Sequence, residues 1–210
     1  MNKIIKVIPV IIALALTVSL VGAPETHATS FSFTGNFTRD DNVRLFNFSL
    51  LNNASVSIDT TSYATGGFDP TLTPFDSTGV FIDQSQDLSL VDLDCLMTDT
   101  LLAGSYIVAL TQYDNFPVAD DRNNKLLAAG FTRQGAGNFT GPEFFTTGGP
   151  GSFINIDGLQ RTSEWAVDIQ GVDDASRAPV PEPATFILYV AGLAGIYALR
   201  KVKKPHLRTV

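Results

Sequence analysis

Through most of the middle of this chain, apolar and polar positions alternate with a period of two. Phe31, Phe33, Gly35 and Phe37 are interleaved with Ser32, Thr34, Asn36 and Thr38, so an extended strand here carries aromatic rings on one face and small polar groups on the other. Asp40-Asp41-Asn42 interrupts the pattern as a turn. The alternation resumes over 43–50, with Phe46, Phe48 and Leu50 in phase. It breaks at Asn52-Asn53 and returns over 54–59, with Val56 and Ile58 inward. Such runs, recurring every 8–12 residues or so, are the mark of a sandwich or barrel. Gly66-Gly67 opens a loop into Phe68-Asp69-Pro70. Short strands are predicted over 72–75 and 80–82, joined by the Asp76-Ser77-Thr78-Gly79 turn. Residues 105–113 are apolar on both faces and predict a central strand. Residues 126–130 read as one helical turn or a strand, and 133–152, rich in Gly, Thr and Pro, as a long loop. A last strand is predicted over 164–171, with Trp165, Val167 and Ile169 inward. The expected fold is one all-β domain, an antiparallel jelly-roll-like sandwich over residues 29–172, followed by a polar linker over 173–179.

The two ends obey a different pattern. Lys3 and Lys6 give a positive start, residues 4–21 are nearly all apolar, and Thr26-His27-Ala28 offers a small-residue cleavage site. This is the anatomy of a signal peptide over 1–28, its helix removed by cleavage after Ala28. At the other end, Val180-Pro181-Glu182-Pro183 precedes an apolar run over 184–199, and Arg200, Lys201, Lys203 and Lys204 follow it. As a helix the run spans roughly 24 Å, short against a hydrocarbon core of about 30 Å. Ala191, Gly192, Ala194, Gly195 and Ala198 weaken it further. A single transmembrane helix of this kind suits transient retention, with the basic cluster on the cytoplasmic side. A plain single-span anchor is the alternative.

The Pro-Glu-Pro motif, apolar run and basic end over 180–210 together resemble the PEP-CTERM sorting tail of bacterial surface and matrix proteins. The resemblance implies recognition and processing by an exosortase, export through the Sec machinery, and transient anchoring in the inner membrane of a Gram-negative-type cell. The stretch Gly67-Phe68-Asp69-Pro70, with Leu72, Phe75, Asp76 and Gly79, followed by 102–115, resembles the FDP-motif family of PEP-CTERM proteins. More weakly, the body is similar to pre-peptidase C-terminal domains, which are jelly-roll modules that bind surfaces or polymers without catalysis.

Charge and composition narrow the chemistry. Setting both ends aside leaves seven Lys and Arg against nineteen Asp and Glu, so the body carries −12. Nucleic acid is a poor partner for such a surface. His27 and His206 lie in the two end segments and the body has no histidine, which excludes Ser-His-Asp and Cys-His catalysis and histidine zinc sites. Cys95 is alone and reads as a buried small hydrophobe.

Asp83, Asp87, Asp92, Asp94 and Asp99 form the densest acidic region, and calcium is the candidate cofactor there because it takes six to eight oxygen ligands. Their spacing fits neither an EF-hand nor a repeat-type calcium loop. Asp69 and Asp76 read as turn residues before they read as an acid/base pair. Tyr106, Tyr113, Phe116, Phe144, Phe145 and Trp165 are candidates for a carbohydrate platform, with Tyr106 and Trp165 at inward strand positions. The expected protein is a non-catalytic surface or extracellular-matrix protein processed by an exosortase. The alternative is a calcium-assisted carbohydrate- or protein-binding module with exopolysaccharide as its polymer.

Overall fold

The computed structural model describes residues 29–85, 87–119, 124–145 and 151–179. Among them, eight strands form two four-stranded antiparallel sheets. In chain order these are β1 (Thr29–Asn36), β2 (Arg44–Leu50), β3 (Ala54–Thr60), β4 (Pro70–Asp76), β5 (Leu96–Leu101), β6 (Gly104–Gln112), β7 (Glu164–Val172) and β8 (Asp174–Arg177). The first sheet runs β1-β7-β3-β5 and the second β4-β6-β2-β8.

The core lies between the sheets. Val56 and Ile58 of β3 and Trp165, Val167 and Ile169 of β7 face Phe46 and Phe48 of β2, Leu72 of β4, and Val108 and Leu110 of β6. All are the in-phase positions of their strands, and all are buried. Each such side chain contributes about 2 kcal/mol of hydrophobic stabilisation. Trp165 meets Phe46 edge-on at 5.7 Å between centroids, and Phe48 stacks on Tyr106 at 5.2 Å.

The central strand predicted over 105–113 is β6, paired on one side with β2 and on the other with β4. Its second apolar face has a reason. Residues 117–119 pair with 125–131, Pro117 bridging Phe131 and Ala119 bridging Lys125, and Phe131 and Leu127 pack over the outer face of the second sheet. Phe75, Ala109 and Phe131 make a small second core there, with Leu45, Ile107 and Leu127 against it. Residues 127–129 are a turn of 3-10 helix.

The hairpin turn forms as predicted. Asp76 Oδ1 accepts from Thr78 N at 2.8 Å, Thr78 Oγ1 at 2.7 Å and Val80 N at 3.0 Å, and these bonds, led by the Thr78 hydroxyl, hold its carboxyl below the ordinary range. The returning arm is reduced to bridges, Phe75 to Phe81 and Leu72 to Ser85.

Two strands depart from the sequence reading. β5 is an edge strand in which only Met97 and Leu101 are buried, so its polar residues mask the alternation. β8 occupies residues 174–177, inside the linker predicted over 173–179. Its sequence, Asp-Ala-Ser-Arg, has no strand signature, and pairing with the free edge of β2 makes it a strand.

Cys95 is fully buried, with its thiol against the Pro70 carbonyl at 3.1 Å. Burial pushes the thiol's pKa up. The folded protein is therefore expected to be inert to a thiol reagent such as Ellman's, and to react stoichiometrically only in denaturant. Rapid labelling of the native protein would contradict this burial.

Candidate functional site

The site built most directly from the sequence is the place where the C-terminal tail leaves the body. β7 belongs to the first sheet and β8 to the second, so the chain must change sheets within 171–173. Gly171 makes the change possible. It has φ +79°, it sits at the register shift where Thr29 pairs with Val172 and Ser30 with Gln170, and a Cβ on it would lie 2.2 Å from the Ser55 carbonyl oxygen. This is a glycine β-bulge that turns the strand out of its sheet. Asp173 then caps the crossing: its N–H donates to Ser49 O at 3.0 Å, and its carboxylate accepts from Leu51 N at 2.7 Å.

Past the crossing, β8 pairs with β2 from Ser49↔Asp174 to Phe46↔Arg177, and Ala178 N continues the ladder to Leu45 O at 2.9 Å. Arg177 ties this edge to the opposite sheet. Its guanidinium lies 5.2 Å from the centre of the Trp165 ring and donates to the Thr34 carbonyl of β1. The body therefore holds the chain firmly up to Ala178.

Residues 179–204 match the family model of the PEP-CTERM protein-sorting motif. The chain carries a PEP-CTERM sorting signal. That signal implies an extracellular protein sorted by an exosortase and brought to the membrane by its C-terminus. Among curated proteins none matches the chain. The sorting residues Val180, Pro181, Glu182 and Pro183, the predicted span over 184–199 and the basic Arg200, Lys201, Lys203 and Lys204 lie outside the described residues, as do the signal peptide and Ala28. Among the described residues no helix is long and apolar enough to cross a membrane.

Four of the five candidate calcium ligands of this PEP-CTERM chain accept hydrogen bonds from the protein itself. Asp94 is buried and accepts from Thr60 Oγ1 at 2.8 Å and Tyr63 N at 3.1 Å. Asp92 accepts from Asp94 N at 3.2 Å, Asp83 from Gln84 N at 2.7 Å and Asp99 from Thr100 N at 2.7 Å. Asp87 is exposed, with a carboxyl that partial burial raises. Among the described residues, no three His, Cys, Asp or Glu gather closely enough to hold a metal ion.

The aromatic candidates divide. Trp165 is in the core, and Tyr106 stacks against the core residue Phe48. Tyr113, Phe116 and Phe144 come together at 5.5 and 6.3 Å from Tyr113, with Phe145 exposed beside them in sequence. Arg133 braces the same region through Asp114, with a pair of bonds at 2.9 and 3.1 Å, and through Glu143 of the short helix α1 (Thr140–Phe144).

Two buried carboxylates were read in the sequence only as turn formers. Asp40 accepts from Thr140 N at 2.9 Å, from the Thr140 hydroxyl and from Phe153 N at 3.3 Å. Asp41 accepts from Gly135 N at 3.0 Å and Gly137 N at 2.9 Å, and pairs with Arg39 at 3.2 Å. Together they pin the long glycine-rich loop to the β1–β2 turn.

Asp69, the acid of the Phe-Asp-Pro motif, is also buried, and its Oδ1 has no hydrogen-bond partner among the described residues. Burial pushes its pKa up to about 8; Asp87 adds to the shift and Arg161 opposes it. The unfolded chain ionises this group near 3.8, so between about pH 4 and 8 the folded state holds the extra proton. The stability conferred by that proton is full below pH 4 and is lost as pH rises towards 8. Asp69→Asn is expected to match the parent near pH 4 and to exceed it in melting temperature at pH 8. Equal differences at both pH values would show that Asp69 is ionised in the fold.

Proposed function

We propose that this protein is an exported, non-catalytic component of the cell surface or extracellular matrix whose tail is processed by an exosortase. The sorting signal over 179–204 carries the reading. The Sec machinery exports the chain through residues 1–28, the weak span over 184–199 holds it transiently in the inner membrane, and the basic cluster keeps its end on the cytoplasmic side. The body is delivered as a jelly-roll sandwich. Support for that wiring comes from the orders β1-β7-β3-β5 and β2-β6-β4, with bridges from 81 and 85 beside β4 where a further strand would lie.

The exit geometry favours processing at the membrane face. Only four residues separate Pro179 from the predicted span, so the folded body is held within roughly 17 Å of it. The absence of histidine from the body and the burial of Asp69 favour a non-catalytic role. Alanine at Pro181, Glu182 and Pro183 together is expected to leave the protein in the membrane fraction of its host. Unchanged release would sink the reading.

A second reading is favoured by the meeting of Tyr113, Phe116 and Phe144, which offers aromatic faces for a polysaccharide such as the exopolysaccharide of the matrix. Binding to a soluble polysaccharide that Phe144→Ala abolishes would support it. No binding across a panel would remove it.

A further inference from the structure

Each sheet has two edges, and three of the four edge strands carry something that discourages further pairing. β4 contains Pro70 and Pro74 and is bridged by Phe81 and Ser85. β5 sets Asp99 in register with the core residue Val56, a charge on the inward side of an edge strand. β8 is four residues long, with Asp174 and Arg177 at its ends. β1 has none of these devices. Its eight residues, Thr29–Asn36, include no charge and no proline. Phe31 and Phe33 pack against the core but stay half-buried, whereas Trp165, Val167 and Ile169 of the neighbouring β7 are buried. The difference arises because, among the described residues, no strand flanks β1 on its far side. We propose that the free edge of β1 pairs antiparallel with β1 of a second copy of this chain, about a two-fold axis through Ser32.

Backbone direction, side-chain pairing and charge each support this partner. The Ala166 carbonyl of β7 accepts from Thr61 N on the β3 side. By the alternation of an antiparallel ladder, Trp165, Val167 and Ile169 then turn their backbone groups towards β1. Their partners Gly35, Phe33 and Phe31 turn theirs towards β7, so Ser30, Ser32 and Thr34 turn theirs outward. Arg177 of β8 reaches the Thr34 carbonyl from that outer side. An axis through Ser32 sets Ser32 opposite its own copy, Ser30 opposite Thr34, and Phe31 opposite Phe33. Aromatic rings then meet on the core side and small hydroxyls on the other. The body is strongly acidic, and β1 is an edge at which two bodies approach without opposing like charges on the paired strands. β8 adds complementarity. It begins beside the Thr29 end of β1, where Thr29 pairs with Val172, and ends beside Thr34. The same axis therefore sets the Arg177 end of each copy against the Asp174 end of the other. Pairing joins the two first sheets into one continuous sheet. It depends on the folded body alone and goes beyond the exosortase reading.

The test uses the full chain in detergent micelles, with micelles in excess, and reads its mass by sedimentation equilibrium over a range of protein concentrations. The parent is expected to pass from monomer to dimer as concentration rises. Ser32→Pro removes an N–H that looks away from β7, so β1 keeps its place in the sheet. Ser32→Lys installs the guard that natural edge strands use and opposes two like charges on the axis. Each variant is expected to weaken the dimer about ten-fold or more, with the melting temperature of the body near that of the parent. Ser32→Lys, on an exposed side chain, keeps the test open if the proline disturbs the strand. A parent that stays monomeric throughout would overturn the proposal and leave this edge to a strand of another protein. A parent dimer that Ser32→Lys leaves intact would also overturn it, because the copies would then be held together by another part of the chain.

Discussion

Asp40→Ala is expected to cost about 4 kcal/mol of unfolding free energy. The carboxylate is fully buried and accepts from Thr140 N, the Thr140 hydroxyl and Phe153 N. Removing it leaves these donors with no acceptor in a dry interior, where each orphaned group costs about 1–3 kcal/mol. Domains of this size are stable by only about 5–15 kcal/mol, so the loss takes a large share of the total. Asp40→Asn keeps an acceptor oxygen in place and is expected to lose roughly half as much. Urea unfolding checks both. A loss below about 1 kcal/mol for the alanine variant would mean that the loop is held by something other than this carboxylate.

Gly171→Ala is expected to cost about 3 kcal/mol. The added methyl meets the Ser55 carbonyl oxygen at 2.2 Å, and that oxygen is backbone of β3, which cannot turn aside as a side chain would. The φ of +79° adds a further penalty of about 1 kcal/mol for any residue with a Cβ. Because the bulge aims the chain from one sheet to the other, the damage extends to β8. Hydrogen exchange at residues 174–178 is expected to accelerate with the loss of stability. A stable variant with slow exchange there would show that β8 docks without the bulge.

These two effects mark the boundary of what the sequence displays. β1, β2, β3 and β7 are legible because large apolar residues recur at alternate positions on the face turned to the core, and β6 because it is apolar on both faces. That pattern survives without knowledge of the partner strand. The hairpin turn at Asp76 is legible because its bonds are all made within four residues. Asp40 is different. Its partners lie 100 and 113 residues away, so the sequence shows an acid in a turn and hides the bond that gives it value. β8 is hidden for a related reason: Asp174-Ala175-Ser176-Arg177 is made a strand by the edge of β2 and by the reach of Arg177 across to Thr34. The sorting motif is legible because a short linear signal is read by sequence rather than by fold, whereas the cavity beside Pro179 is assembled from three separate stretches of chain.

The central claim is that the tail of this PEP-CTERM chain is an address, removed once it has been read. The most direct measurement is the C-terminal mass of the exported protein, recovered from native cells with and without their exosortase. The account predicts a mature form lacking residues 184–199 when the enzyme is present, and an intact tail held in the membrane when it is absent. Recovery of residues 184–199 in the exported form from cells with the enzyme would contradict it.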